Sequence, residues 1–289
     1  MDWLDRMNSA IEYIETHLDQ EVDFEQVAQK ACCSVHHFQR MFSFITDVPL
    51  SEYIRRRRLT LAAFELQTRN ARVIDVALKY GYESPEAFSR AFRNLHGIMP
   101  TSARNEGTSL KAYPRISFHI SIKGDIEMNY RIVTKEAFEM AGISVEMSAV
   151  DNQQYTEIPR LWETYTTDGT IDRMRKDFEI PEEECVHAAL YNFREGVFSY
   201  MIGALPPAGA VIEEYTVLKV PALTWAIFPT GECTPEDETA AIQDVWRRIF
   251  SEWFPTSGYE HADGPEFEMY YKLGNGLLNE EVWIPVVKK

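Results

Sequence analysis

The chain has 289 residues, of which 45% are hydrophobic, and a formal net charge of -16. That is enough material for two soluble globular domains, and there is neither a basic-then-apolar leader nor a run of about 18 apolar residues. Neither secretion nor membrane insertion is expected, and a cytoplasmic protein is. The cysteines Cys32, Cys33, Cys185 and Cys233 form no CxxC pair or His-rich cluster, so reduced thiols are expected and a metal site is not.

Taken whole, the acidic charge opposes DNA binding, which depends on displacing counterions with Lys and Arg. Its distribution reverses that conclusion. Residues 26 to 107 hold twelve basic against seven acidic side chains, a net of +5, so the acid lies mostly beyond 107. Such asymmetry fits a nucleic-acid module joined to one that does not bind DNA.

Residues 1 to 23 predict an acidic amphipathic helix whose apolar face is Trp3, Met7, Ile11, Ile14 and Leu18. The next stretch repeats itself, VAQKACCSVHHFQRMFSFITDVPLSEY being matched by VALKYGYESPEAFSRAFRNLHGIMPTS. Val27 and Ala28 fall on Val76 and Ala77 at an offset of 49; Phe38, Arg40 and Phe42 fall on Phe88, Arg90 and Phe92 at an offset of 50. In each copy a short apolar helix ends in a turn, where Gly81 supplies the positive φ of the second copy. Ser34 and Ser84 then cap the following helix. Helix, tight turn, helix is the geometry that places a second helix in the DNA major groove, and two copies let one chain read two successive groove segments. His36, Gln39 and Arg40 lie on one outward surface, and Glu86, Ser89 and Arg90 on the other. Arg and Gln carry the paired donor and acceptor geometry that reads guanine or adenine edges. The alternative reading of Arg40 and Arg90 is as solvated helix charges. Four adjacent arginines, Arg55 to Arg58, point around a whole helix, so at most two can face one phosphate backbone and the others are solvated or paired with acids.

The pieces SVHHFQRMF, LSEYIRRRRL, VIDVALKYGYESPEAFSRAF and GIMPTSAR, from about 24 to 104, resemble the DNA-binding domain of AraC-family regulators. The resemblance implies that His36, Gln39 and Arg40 face bases in one groove and that Glu86, Ser89 and Arg90 do so in the next. Asp47 stands where the family usually has glycine, and Ala103 where a tyrosine usually precedes the arginine.

From Thr108 to Gly124 the helical period disappears, and KAYPRISFHISIKG alternates in part like a strand. The expected division is a DNA-binding domain over 1–107, a linker over 108–125 and a small-molecule domain over 126–289. The last also repeats. NYRIVTKEAFEMAGI is matched by EYTVLKVPALTWAIF, and each leads to a helix carrying Trp162 or Trp246 and then to two strand-like runs. The expected fold class is multi-domain: an all-α double helix-turn-helix followed by an α+β domain of two strand-helix-strand-strand repeats, its two antiparallel sheets leaving a cleft between the copies.

With PTSGYEHADGPEFEMY and the terminal EVWIPV, this half resembles GyrI-like effector-binding domains. The resemblance implies a glutamate among aromatic rings that recognises cationic or hydrophobic ligands. Glu268 matches it, with Tyr270 on the same side of its strand, Trp283 in the last strand, and Trp225, Tyr191 and Phe193 as further walls. A carboxylate among aromatics favours a cation that also interacts with ring faces, at roughly 0.5 to 2 kcal/mol each. The same aromatic residues also read as sheet core. Two rivals to a ligand-binding regulator stay open. One is a hydrolase using Glu268 as base. The other is a ligand-independent DNA binder whose acidic half contacts RNA polymerase or another protein. No Ser-His-Asp arrangement, metal cluster or phosphate-cradling glycine loop is visible, so no catalytic residue, cofactor or metal ligand is assigned. The partners expected are double-stranded DNA and a small-molecule effector, with no membrane.

Overall fold

Helix follows helix as far as residue 104, and strand dominates from 131 onward. The computed structural model describes residues 3–68, 71–105, 107–119, 127–148, 153–194, 197–207, 210 and 213–289. The chain divides into two compact units between residues 120 and 121.

In the first unit α1 (Trp3–Thr16) buries Met7, Ala10, Ile11 and Ile14, which recur at helical spacing. Helices α2 (Phe24–Ala31) and α3 (Val35–Thr46) form the first motif, α4 (Leu50–Thr68) connects, and α5 (Val73–Lys79) and α6 (Pro85–His96) form the second. The second helix of each motif starts as the sequence indicates. The Ser34 hydroxyl accepts from His37 N and that of Ser84 from Ala87 N. The duplication extends to the turns. Tyr82 N donates to Ala77 O at 3.0 Å, and Cys33 N to Ala28 O at 3.1 Å.

The turns differ at the left-handed position. Gly81 sits at φ 79°, while its counterpart Cys32 holds φ 54° with a side chain attached. Asp47 likewise adopts φ 55° where Gly97 has 81°, so the turn departing from the family pattern keeps the left-handed geometry. Cys32→Gly is therefore expected to stabilise the first unit by about 0.5–1 kcal/mol. The relieved Cβ crowding exceeds the entropy that glycine adds to the unfolded chain. A higher urea midpoint at unchanged slope checks this. Asp47→Gly gains less, because aspartate tolerates the region better.

The arginine run is structural in large part. Arg55 and Arg56 both pair with Glu52, Arg57 with Glu15, and Arg58 donates to the Leu18 and Gln20 carbonyls. Residues 110–119 form no strand. They lie along the first unit, where Tyr113 N donates to Thr60 Oγ1, Ile116 N to Tyr53 Oη, and the Phe118 backbone exchanges two hydrogen bonds with Asn8. Those side chains replace a ladder partner for the backbone. The remainder of the expected linker, 120–125, lies outside the described residues.

The second unit contains both predicted repeats. The first is β1 (Arg131–Lys135), β2 (Phe138–Ser148), α7 (Gln154–Thr167), α8 (Thr170–Asp177), β3 (His187–Arg194) and β4 (Val197–Ala204). The second is β5 (Thr216–Val220), β6 (Leu223–Cys233), α9 (Glu238–Arg248), a π-helical turn (Ile249–Trp253), the short α10 (Phe254–Thr256), β7 (Tyr259–His261), β8 (Glu266–Lys272) and β9 (Leu278–Lys288). Instead of two sheets separated by a cleft there is one, of order β1-β6-β9-β8-β3-β4-β2-β5, with β7 on β9. The copies join where β3 pairs β8. That pairing satisfies two strand edges which separate sheets would leave open.

The sheet curls. Two-residue links connect β1 to β2 and β5 to β6, although these strands lie toward opposite ends of the order. Phe138 of β2 reaches Phe267 of β8 at 5.7 Å between ring centroids, where three flat strand spacings would hold them about 14 Å apart. Gly142 and Gly203 face each other across β2 and β4, and a Cβ on either would collide with the opposing backbone. One face carries the helices. The other turns inward and is filled by Met140, Met201, Trp225, Phe267 and Trp283.

Candidate functional site

Burial of Phe38, Met41 and Phe42 on α3, and of Phe88, Phe92 and Leu95 on α6, orients each helix and leaves the opposite surface outward. On α6, Glu86 and Arg90 are exposed and Ser89 is half-buried. On α3, Gln39 and Arg40 are half-buried, and the Arg40 guanidinium lies 5.5 Å from the Phe44 ring centroid. His36 is 7% exposed. Burial, with the Arg40 charge nearby, lowers its pKa to about 3, so the imidazole is neutral at physiological pH.

In the second unit, strand register settles what alternation could not. Glu268 pairs with Ala188 and Val282, and Phe267 with Ala189 and Trp283. Glu268 and Tyr270 therefore face the helices, whereas Trp283, Trp225 and Tyr191 lie on the inner face. Phe193 rejoins Glu268's side, because a bulge at Asn192, with φ 54°, reverses the alternation after Tyr191.

Around Glu268 the helices and central strands converge. Trp246 Nε1 of α9 donates to Oε1 at 2.8 Å. Tyr270 Oη donates to Oε2 at 3.1 Å and Tyr200 Oη of β4 at 3.4 Å. Trp162 Nε1 of α7 donates to Tyr200 Oη at 2.9 Å, and its ring meets Tyr270 edge-on at 5.2 Å. Burial and the Glu268 charge push both tyrosines well above their ordinary pKa, so they remain neutral donors. Among the described residues no Lys, Arg or His forms an ion pair with Glu268. Two other buried glutamates on this sheet have such a partner: Glu281 pairs with Arg131 at 2.7 Å and Glu266 with His261 at 2.9 Å.

Glu280 of β9 stands opposite Tyr270 and is 0% exposed. Burial first, then Glu238 of α9 and the Glu268 charge, raise its pKa from 4.5 to about 9. In this range the folded state keeps a proton that the unfolded chain has lost. The contribution to stability is full below about pH 4.5 and is lost as pH rises through about 9. Glu280→Gln is thus expected to melt like the parent at pH 4.5, and to exceed it by about 1–3 kcal/mol at alkaline pH, because no buried acid must ionise or stay unpaired. Melting curves at the two pH values check it.

Sequence reasoning did not assign Tyr200, Glu280, Trp162 and Trp246 to this site. The matched placement of Trp162 and Trp246 in the two repeat helices was the available signal. Nothing local marks Tyr200 or Glu280, which arrive by strand pairing. On the inner face Trp283 Nε1 donates to Glu281 Oε2 at 2.9 Å, and Lys135 Nζ lies 4.5 Å from the Trp283 centroid.

Two family profiles match the chain. The profile of a helix-turn-helix domain matches residues 27–106, and that of the integron-associated effector binding protein Cass2 matches 131–286. Regulatory protein SoxS of Salmonella typhimurium is 41% identical over 99 residues, which are 34% of this chain and 92% of that protein. The chain belongs to the AraC family of transcription regulators. The activator AarP of Providencia stuartii is 43% identical over 96 residues, 33% of this regulator and 71% of that protein. The structure of SAV2435 bound to tetraphenylphosphonium covers 55% of this regulator and 94% of its own chain, at 18% identity and a TM-score of 0.46. By the two profile matches and the likeness to SoxS, this AraC-family regulator is a DNA-binding protein whose helix-turn-helix unit precedes an effector-binding domain. No helix among its described residues is long and apolar enough to cross a membrane.

Proposed function

We propose that this regulator reads DNA through α3 and α6 and binds an organic cation at Glu268. One observation carries the effector class: a carboxylate held by three aromatic donors has no cation of its own among the described residues. The donors orient the charge without neutralising it. Trp162, Trp246, Tyr200 and Tyr270 offer ring faces or edges beside it, and Phe193 lies on the same side. A ligand cation completes such a set, gaining both charge pairing and ring contact. Both oxygens of Glu268 already accept hydrogen bonds, which favours binding over proton abstraction, so the reading is a regulator without enzymatic activity, acting in the cytoplasm. Trp225, Trp283 and Tyr191 support the sheet from its inner face.

On DNA, His36, Gln39 and Arg40 would meet one major groove and Glu86, Ser89 and Arg90 the next, His36 as a neutral imidazole. Arg40→Ala and Arg90→Ala are each expected to cost about 1–3 kcal/mol of specific operator binding. Titration of labelled operator and scrambled duplex at fixed salt checks this. A loss equal on both duplexes would make these arginines phosphate contacts instead. The exposed apolar side chains Phe64, Ile74 and Leu78 on α4 and α5 offer surface to a protein partner.

A further inference from the structure

We infer that Glu280, backed by Glu238, is a second anionic seat beside Glu268, and that the effector is a dication bearing N–H donors at both charged ends. The inference rests on the Glu268 reading above and specifies its ligand class.

Glu268 pairs with Val282 and Tyr270 with Glu280, so the two glutamates are diagonal neighbours on the helix face, about 7–8 Å apart along the sheet. Glu280 is 0% exposed, and neither of its carboxyl oxygens meets a donor among the described residues. The Thr230 hydroxyl serves its backbone N–H and C=O rather than the side chain. What the carboxyl does face is Glu238 of α9, a second acceptor. Two carboxyls in that relation hold together only by sharing a proton. A buried acid whose one partner is another carboxyl costs stability that an apolar residue would not, so its presence calls for a function.

Among the described residues the titratable groups that interact with Glu280 are Glu238 from α9, Glu268 and Tyr270 from β8, and Cys233 from β6, none of them basic. A quaternary or phosphonium centre satisfies Glu268 through charge and ring contact but leaves Glu280 without a donor. An ammonium supplies both a charge and N–H bonds. An aryl-capped diamine whose nitrogens are separated by about the same 7–8 Å would place one charge at each seat. Seating the second charge expels the shared proton of the Glu280–Glu238 pair to solvent, so binding is linked to proton release. With the Glu280 pKa near 9, that linkage falls in the neutral to alkaline range.

The test is calorimetric titration of the full-length protein, of Glu280→Gln and of Glu268→Gln with N-benzylcadaverine and with N-benzylpentylamine, which lacks the distal amine. Titrations in two buffers of different ionisation heat count the protons released. In the parent the diamine is expected to bind about tenfold tighter than the monoamine and to release a proton. Glu280→Gln is expected to collapse that ratio toward one and abolish the release, and Glu268→Gln to weaken both ligands. Equal binding of the two amines in the parent, or a ratio untouched in Glu280→Gln, overturns the second seat and leaves the Glu268 reading in place. Absence of binding by either amine overturns both readings.

Discussion

Glu15→Ala is expected to destabilise the helix-turn-helix unit by about 3–5 kcal/mol, the cost of leaving a buried guanidinium without its partner. Arg57 Nη2 lies 2.7 Å from Glu15 Oε2, with both side chains almost wholly buried. Its Nε donates to Oε1 at 2.9 Å, and Tyr53 Oη donates to the same oxygen at 2.6 Å. Arg57 Nη1 donates to Tyr113 O at 2.6 Å. One carboxylate therefore connects α1, α4 and the segment that follows the second motif, three pieces distant in sequence. Removing it strands a cation and a phenol together. Glu15→Gln keeps an acceptor for Tyr53 but not the charge, and should fall between parent and Glu15→Ala. Urea denaturation followed by the helical circular dichroism signal reads all three. A loss below about 1 kcal/mol in Glu15→Ala would mean that Arg57 finds water, as at an exposed pair.

Glu268→Gln is expected to weaken binding of a cationic effector by about 2–3 kcal/mol, roughly thirtyfold to 150-fold, while operator binding by the free protein is unchanged. Glutamine is nearly isosteric: its oxygen still accepts from Trp246 and its NH2 donates to the Tyr270 and Tyr200 hydroxyls, which turn to accept, so the aromatic surround is retained and the charge is the variable. The comparison to make is N-benzylpentylamine, cationic at neutral pH, against its neutral amide analogue. The parent should prefer the amine and the variant should not. Thermal shifts give the same ranking, since a ligand that binds only the native state raises the melting temperature. If parent and variant rank the two compounds alike, aromatic contact alone selects the ligand.

Much of the first unit was legible because its signals are local. The Ser34 and Ser84 caps and the paired phenylalanines each lie within one or two helical turns, and each local pattern recurs in the second copy. Residues lining one helix face are three or four apart in sequence whatever the helix packs against. Even so, the Arg55–Arg58 run shows the limit. Its partners Glu15, Leu18 and Gln20 lie about forty positions away, and only packing reveals that Arg57 and Arg58 are structural. KAYPRISFH shows the same limit, since its alternation resembles a strand but its hydrogen bonds go to α1 and α4 side chains.

In the second unit the repeat, the strand-helix order and the pairing of Glu268 with Tyr270 on one side of β8 follow from the sequence, because a strand alternates with period two wherever it lies. Which side faces the helices does not follow. A period-two pattern assigns residues to two faces without naming either. The names come from cross-strand register, from the Asn192 bulge and from the curl that folds Trp225 and Trp283 inward. The sequence by itself therefore determined the two modules and their internal duplications, and a family resemblance pointed to Glu268. Tertiary structure alone decided the company of that glutamate, Trp246, Tyr200 and Glu280 rather than Trp283 and Trp225, because strand pairing and helix packing act between residues that share no local pattern.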